Sequence, residues 1–134
     1  MIDNIQIQIP SLPENIRIVE SFIDNAKDKY ELNDDIYGNI MIAVTESVNN
    51  AIIHGNKSDN KKNVHLKLAL EKSQIKFTVE DEGPGFDYQN LPDPTLPENL
   101  NKPGGRGIFL MKNLCDEVSF KNEGRIAELC FYLS

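Results

Sequence analysis

The chain has 134 residues, 40% of them apolar, and 21 acidic against 14 basic side chains give it a net charge of −7. This length holds a single domain, residues 1–134, and the apolar content is that of a globular chain rather than a disordered one. The negative field repels phosphate backbones and anionic lipid, and no apolar run approaches the roughly 20 residues that span a bilayer, so neither nucleic acid nor a membrane is expected as a partner.

Ile5, Ile7 and Ile9 alternate with Gln6 and Gln8, the period of a half-buried strand ending at Pro10. A helix is predicted next, with Ser11 as its cap, Glu14 completing a capping box, and Val19, Phe22, Ile23, Ala26 and Tyr30 as its core face. A second helix is predicted from Asn33 to about Gly55, with Asp34 and Asp35 at the positive end of its dipole. Its apolar surface is broad (Ile36, Ile40, Ala43, Val44, Ser47, Val48, Ala51, Ile52), which places it between a sheet and the first helix. Val64, Leu66, Leu68 and Leu70, then Ile75, Phe77 and Val79, alternate on either side of a turn at Lys72 and Ser73 and predict an antiparallel pair.

The pattern breaks from Gly83 to Gly107, which holds five of the seven prolines and five of the eight glycines. So long a loop in a small domain reads as a functional lid, about 83–107. Ile108, Leu110, Met111 and Leu114 predict a short helix opening at Gly105 to Gly107, and Val118, Phe120, Ile126, Leu129, Phe131 and Leu133 predict a closing hairpin around Gly124. Cys115 and Cys130 lie among apolar residues without Cys or His at metal spacing, which reads as two buried free thiols. The element order predicts an α+β fold, an antiparallel sheet with helices on one face. The N-terminus lacks a basic segment followed by an apolar one, so a cytoplasmic location is expected.

Three clusters carry chemistry. In Glu46-Ser47-Val48-Asn49-Asn50-Ala51-Ile52-Ile53-His54-Gly55, Glu46 and Asn50 stand at i and i+4 and share a helix face. A carboxylate and an amide oxygen side by side suit Mg²⁺, or a cation with a general base; a solvated polar stripe has the same spacing. In Val79-Glu80-Asp81-Glu82-Gly83-Pro84-Gly85-Phe86 a strand runs into Asp-x-Gly-x-Gly. A buried Asp81 there would accept a hydrogen bond from the amine of adenine and face an acceptor oxygen on guanine, while an ordinary turn uses the same residues. In Pro103-Gly104-Gly105-Arg106-Gly107-Ile108, glycines opening a helix offer backbone N–H groups to an anion such as a triphosphate, or form a hinge. His54 reads as a helix-terminal residue rather than a chemical one.

In order and type the three clusters resemble the N box and the two glycine-rich boxes of the GHKL (Bergerat-fold) ATPase superfamily, and nearly the whole chain is covered. Glu46…Asn49-Asn50-Ala51…His54-Gly55, Asp81-Glu82-Gly83 and Gly105-Arg106-Gly107-Ile108-Phe109-Leu110-Met111 with Asp116-Glu117-Val118 look most like the bacterial anti-sigma factor serine/threonine kinases. The resemblance implies a Bergerat-type two-layer sandwich with a long ATP lid. It implies that Asn50 binds the Mg²⁺ among the phosphates, that Glu46 is the base for the attacking hydroxyl, and that Asp81 meets the adenine amine in a pocket shaped by Gly83 and Gly85. Gly105 and Gly107 would wrap the phosphates, and Arg106 would either add charge there or touch a protein substrate. In many relatives a threonine of the last strand pair reaches toward the nucleotide, and Gly124-Arg125-Ile126-Ala127-Glu128 offers none.

The activity so implied is phosphoryl transfer from Mg·ATP to a serine or threonine of an anti-sigma-antagonist (STAS) protein, with a sigma factor as the competing partner and homodimerisation expected. The alternative is a nucleotide-controlled sequestering module with weak or no kinase activity. A histidine kinase is disfavoured because no segment supplies a dimerising hairpin with a phosphoacceptor histidine.

Overall fold

Alternating apolar residues build the sheet. A computed structural model describes residues 3–83, 105–122 and 124–133, the side chains of residues 3 and 105–109 excepted. Strands β1 (Asp3–Pro10), β2 (Asn63–Leu70), β3 (Gln74–Glu80), β4 (Glu117–Lys121) and β5 (Ile126–Tyr132) form one sheet in the order β1-β2-β3-β5-β4. Every neighbouring pair is antiparallel. The register lines up two inward rows, Ile5–Leu68–Phe77–Leu129–Val118 and Ile7–Leu66–Val79–Ala127–Phe120. The intervening rows, Gln6–Lys67–Thr78–Glu128–Ser119 and Gln8–His65–Glu80–Ile126–Lys121, carry almost all the polar residues and form the outer face. Phe77 and Phe131 meet edge to face at 6.2 Å between ring centroids.

Helices α1 (Ile16–Tyr30), α2 (Asp34–Asn50) and α3 (Gly105–Leu114) share one core with the inward rows. Val19, Ile23 and Ala26 of α1 are buried, and Phe22 and Ala26 share an apolar crevice with Ile5 and Leu68. Helix α2 buries Ile40, Ala43, Val44, Ser47 and Val48 and packs on α1, α3, β3 and β5, the wedged position its broad apolar surface predicts. Met111 of α3 is buried in the same core. The two-layer α+β architecture expected from the sequence is therefore the architecture found. The predicted lid, 83–107, lies for the most part outside the described residues.

Two expectations are corrected. Ser11 does not cap α1 and forms no capping box: a 3-10 turn (Pro13–Asn15) precedes the helix, and the fully buried Ser11 donates from Oγ to the Lys62 carbonyl at 2.7 Å. Pro13 fixes that turn, so the cap-like spelling is overridden by a tertiary contact. The closing hairpin forms as expected, with Ala127, Leu129 and Phe131 taking the inward parity of β5 and Ile126 lying on the other face. The second helix does reach Gly55, but its last five residues, Ala51–Gly55, form a π-helical turn closed by Asn56 N–H donating to the Ala51 carbonyl at 2.8 Å. At its other end Asn33 caps as expected, accepting from the Ile36 amide at 2.9 Å, with Asp34 and Asp35 in the first turn.

Candidate functional site

The C-terminal turns of α2 set out the first cluster. Glu46 and Asn50 are half-buried, one helical turn apart, while Ala43, Val44, Ser47 and Val48 face the core. The Asn50 Nδ2 atom is buried with no hydrogen-bond partner among the described residues. Such a group is destabilising by about 1–3 kcal/mol. Keeping an amide here at that cost fits a residue reserved for a group outside the described chain. His54 is exposed at the end of the π-helical turn, where it joins no cluster of metal-ligating side chains; none exists among the described residues.

The second cluster folds directly against the end of the first. Strand β3 stops at Glu80, and Asp81, only 8% exposed, accepts from the Gly83 amide through Oδ1 at 2.8 Å. Its own amide donates to the Arg125 carbonyl at 3.0 Å. A Cβ on Gly83 would stand 1.8 Å from the Gly55 carbonyl oxygen, and one on Gly55 would stand 2.5 Å from the Asp81 carboxylate. Only glycine at both positions allows this approach. Burial raises the Asp81 carboxyl above the usual range, and the Gly83 hydrogen bond and the Arg125 charge oppose that rise.

Three further residues, not foreseen from the sequence, hold this junction. The side chain of Asn56, 1% exposed, accepts from the Glu82 amide at 2.7 Å and donates to Ser11 Oγ at 2.8 Å and the Asn63 carbonyl at 3.0 Å. Beside it, Glu82 pairs with His65 Nε2 at 2.9 Å on the outer sheet face. That hydrogen bond, with one from the Asn63 backbone, holds the Glu82 carboxyl below its ordinary range. Asn56 follows Gly55 directly, so adjacency to the first cluster was the one available signal for it; nothing local marks Ser11 or His65.

The third cluster is partly described. Helix α3 opens at Gly105 and packs on α2, the helix that carries Glu46 and Asn50. Its first backbone N–H groups, those of Gly105, Arg106 and Gly107, lie at the positive end of the dipole. The Arg106 side chain and Gly85 lie outside what the structure describes. In the segment Gly124-Arg125-Ile126-Ala127-Glu128, which offers no threonine, Ala127 is buried opposite Val79.

A two-layer sandwich whose helix end and Asp-x-Gly turn close on each other, with a glycine-opened helix alongside, is the architecture of a histidine kinase-like ATPase domain. The model of that family matches residues 9–131, and the chain belongs to it. Among individual proteins, it is 29% identical over 140 residues to serine-protein kinase RsbW of Bacillus velezensis, covering 99% of this chain and 88% of that one. RsbW of Bacillus subtilis is 28% identical over 130 residues, covering 92% and 81%. RsbW of Staphylococcus aureus is 27% identical over 139 residues, covering 98% and 87%. In structure the chain is similar to the RsbU and RsbW domains of Rv1364c from Mycobacterium tuberculosis, with a TM-score of 0.67 and 16% identity. That match covers 97% of this chain and 32% of the longer one, and it bears on the fold alone.

Proposed function

We propose that this protein is an Mg·ATP-dependent serine/threonine-protein kinase that also acts as an anti-sigma factor. The observation that carries this is the closure of the Asp81–Gly83 turn on Gly55, at the end of the helix bearing Glu46 and Asn50. The serine-protein kinases named RsbW, similar over nearly the whole chain, support it.

On this reading the Asp81 carboxylate accepts the adenine amine, with Gly83 and Gly85 leaving room for the ring, and guanine is rejected because it presents an oxygen there. The backbone N–H groups of Gly105 and Gly107 bind the phosphates, with Arg106 adding charge or touching the protein substrate. The Asn50 amide oxygen would hold Mg²⁺, and its unpartnered Nδ2, which can only donate, fits a phosphate oxygen beside that ion. Bound there, the ion supplies neutralising charge to the phosphates. Glu46 accepts the proton of a serine or threonine hydroxyl as its oxygen bonds to the γ-phosphorus and the bond to the departing ADP oxygen breaks. The rest is positioning.

The acceptor is an anti-sigma-antagonist (STAS) protein in the cytoplasm, a sigma factor is the competing partner, and the kinase works as a homodimer of 134-residue domains whose residues 83–107 serve as the lid. Phosphate on the antagonist adds about 1.5 to 2 negative charges facing a chain of net charge −7, which favours release and lets the sigma factor bind in its place.

The test is γ-labelled ATP added with the purified protein to an extract of its source cells, beside a Glu46→Gln control. Label on another small protein, absent in the control, is the expected result. ATP binding without any label would replace this reading with that of a nucleotide-controlled sequestering module.

A further inference from the structure

The residues flanking Asp81 are pinned one peptide at a time. The Asp81 amide donates to the Arg125 carbonyl at 3.0 Å, the Glu82 amide to Asn56 Oδ1 at 2.7 Å, and the Gly83 amide to the Asp81 carboxylate at 2.8 Å. The first bond fixes the peptide before Asp81 and the second fixes the peptide after it, so together they set the backbone from which the carboxylate projects. The first of these partners is a main-chain carbonyl of the neighbouring strand connection. The second is a side chain, and it belongs to the residue that ends the helix of the other cluster.

Asn56 itself has no freedom to turn. Its Nδ2 faces two acceptors, Ser11 Oγ at 2.8 Å and the Asn63 carbonyl at 3.0 Å. Ser11 spends its own proton on the Lys62 carbonyl at 2.7 Å. A carbonyl can only accept and an amide N–H can only donate, so the network admits one orientation of the Asn56 amide. Asn56 is 1% exposed and Ser11 fully buried, so water does not replace a lost bond. The side chain ties the end of the π-helical turn to the segment after β1, to the start of β2 and to the Asp81–Gly83 turn.

We propose that Asn56 is a positioning residue for nucleotide selection: by holding the peptide between Asp81 and Glu82 it aims the Asp81 carboxylate at the base, and Ser11 acts through it. This rests on the reading of Asp81 as the adenine contact. The interaction to be aimed is one hydrogen bond to an exocyclic amine, and such bonds weaken steeply when misaligned. Loosening the peptide therefore lowers the preference for a base that carries the amine more than it lowers nucleotide binding in general.

The test compares the dissociation constants of Mg·ATP and Mg·ITP, which differ in that inosine carries an oxygen where adenine carries the amine, for the unaltered protein, Asn56→Ala and Ser11→Ala. The expected result is a preference for ATP in the unaltered protein, reduced about tenfold in Asn56→Ala and by less in Ser11→Ala, with ITP affinity changed by no more than about twofold. Equal weakening of both nucleotides, or an unchanged preference, would overturn the positioning role and leave the Asp81 reading standing. If Asn56→Ala does not fold, Ser11→Ala decides by the same criterion. No ATP preference in the unaltered protein would overturn the Asp81 reading, and the proposal with it.

Discussion

Asp81 is a carboxylate kept where burial works against its charge. Burial is the leading cause of its raised pKa, so the folded state holds the proton to a higher pH than the unfolded chain does. By linkage its ionisation disfavours folding: the penalty is fully present above the folded pKa and is relieved as pH falls through it. Asparagine keeps an oxygen for the Gly83 amide and removes the buried charge. Asp81→Asn is therefore expected to have a Tm at pH 7 at or above that of the unaltered protein while losing ATP binding; a clear fall in Tm would show the carboxylate to be structural. Cys115 is governed by the same physics, since burial pushes its thiol up to about 12 and leaves almost no thiolate at neutral pH. It is expected to react with a thiol reagent in the native state far more slowly than in urea, and mass analysis of modified protein checks this. Glu46→Gln is expected to lower phosphoryl transfer by about 100-fold or more with ATP affinity retained. The proposed site residues Glu46, Asn50 and Asp81 could be singled out in the sequence because helical spacing and the Asp-x-Gly turn are local patterns. Asn56 and Ser11 could not, because the bond between them joins residues 45 positions apart and neither carries a local mark of burial.

The glycines of the two elements at the site separate those needed for contact from those that are not. Gly83→Ala would drive a methyl group into the Gly55 carbonyl, a contact of 1.8 Å that only backbone movement relieves. It is expected to destabilise the fold by about 1–3 kcal/mol and to weaken ATP binding as the turn lifts from the helix end. Gly38, within α2, has nothing within 4 Å of an added Cβ. Gly38→Ala is expected to stabilise by about 0.5–1 kcal/mol in urea unfolding, through helix propensity alone. Removing the helix cap with Asn33→Ala is expected to destabilise by about 1 kcal/mol in the same assay. Element types followed from periodicity, since strands repeat every two residues and the helices every three or four. Parity in β5 was harder to read because Ala127 supplies little hydrophobic signal and Ile126 supplies much. The π-helical turn was hidden because the sequence Ala51–Gly55 continues the apolar pattern of α2 without a break.

At the scale of the whole molecule, the sheet has one face committed to the core and one to solvent, and the helices close the buried side. No helix among the described residues is long and apolar enough to cross a membrane. The proposed nucleotide site draws on a helix end, a strand end and a glycine-opened helix that belong to one packed unit, so binding there is expected to stabilise the whole fold. The central claim is that these segments form one ATP site with Asp81 as its base contact, and calorimetric titration of the unaltered protein and Asp81→Asn with Mg·ATP tests it most directly. The account predicts one ATP bound per chain in the unaltered protein and none detectable in Asp81→Asn at the same concentrations. No binding to the unaltered protein, or equal affinity in both, would contradict it.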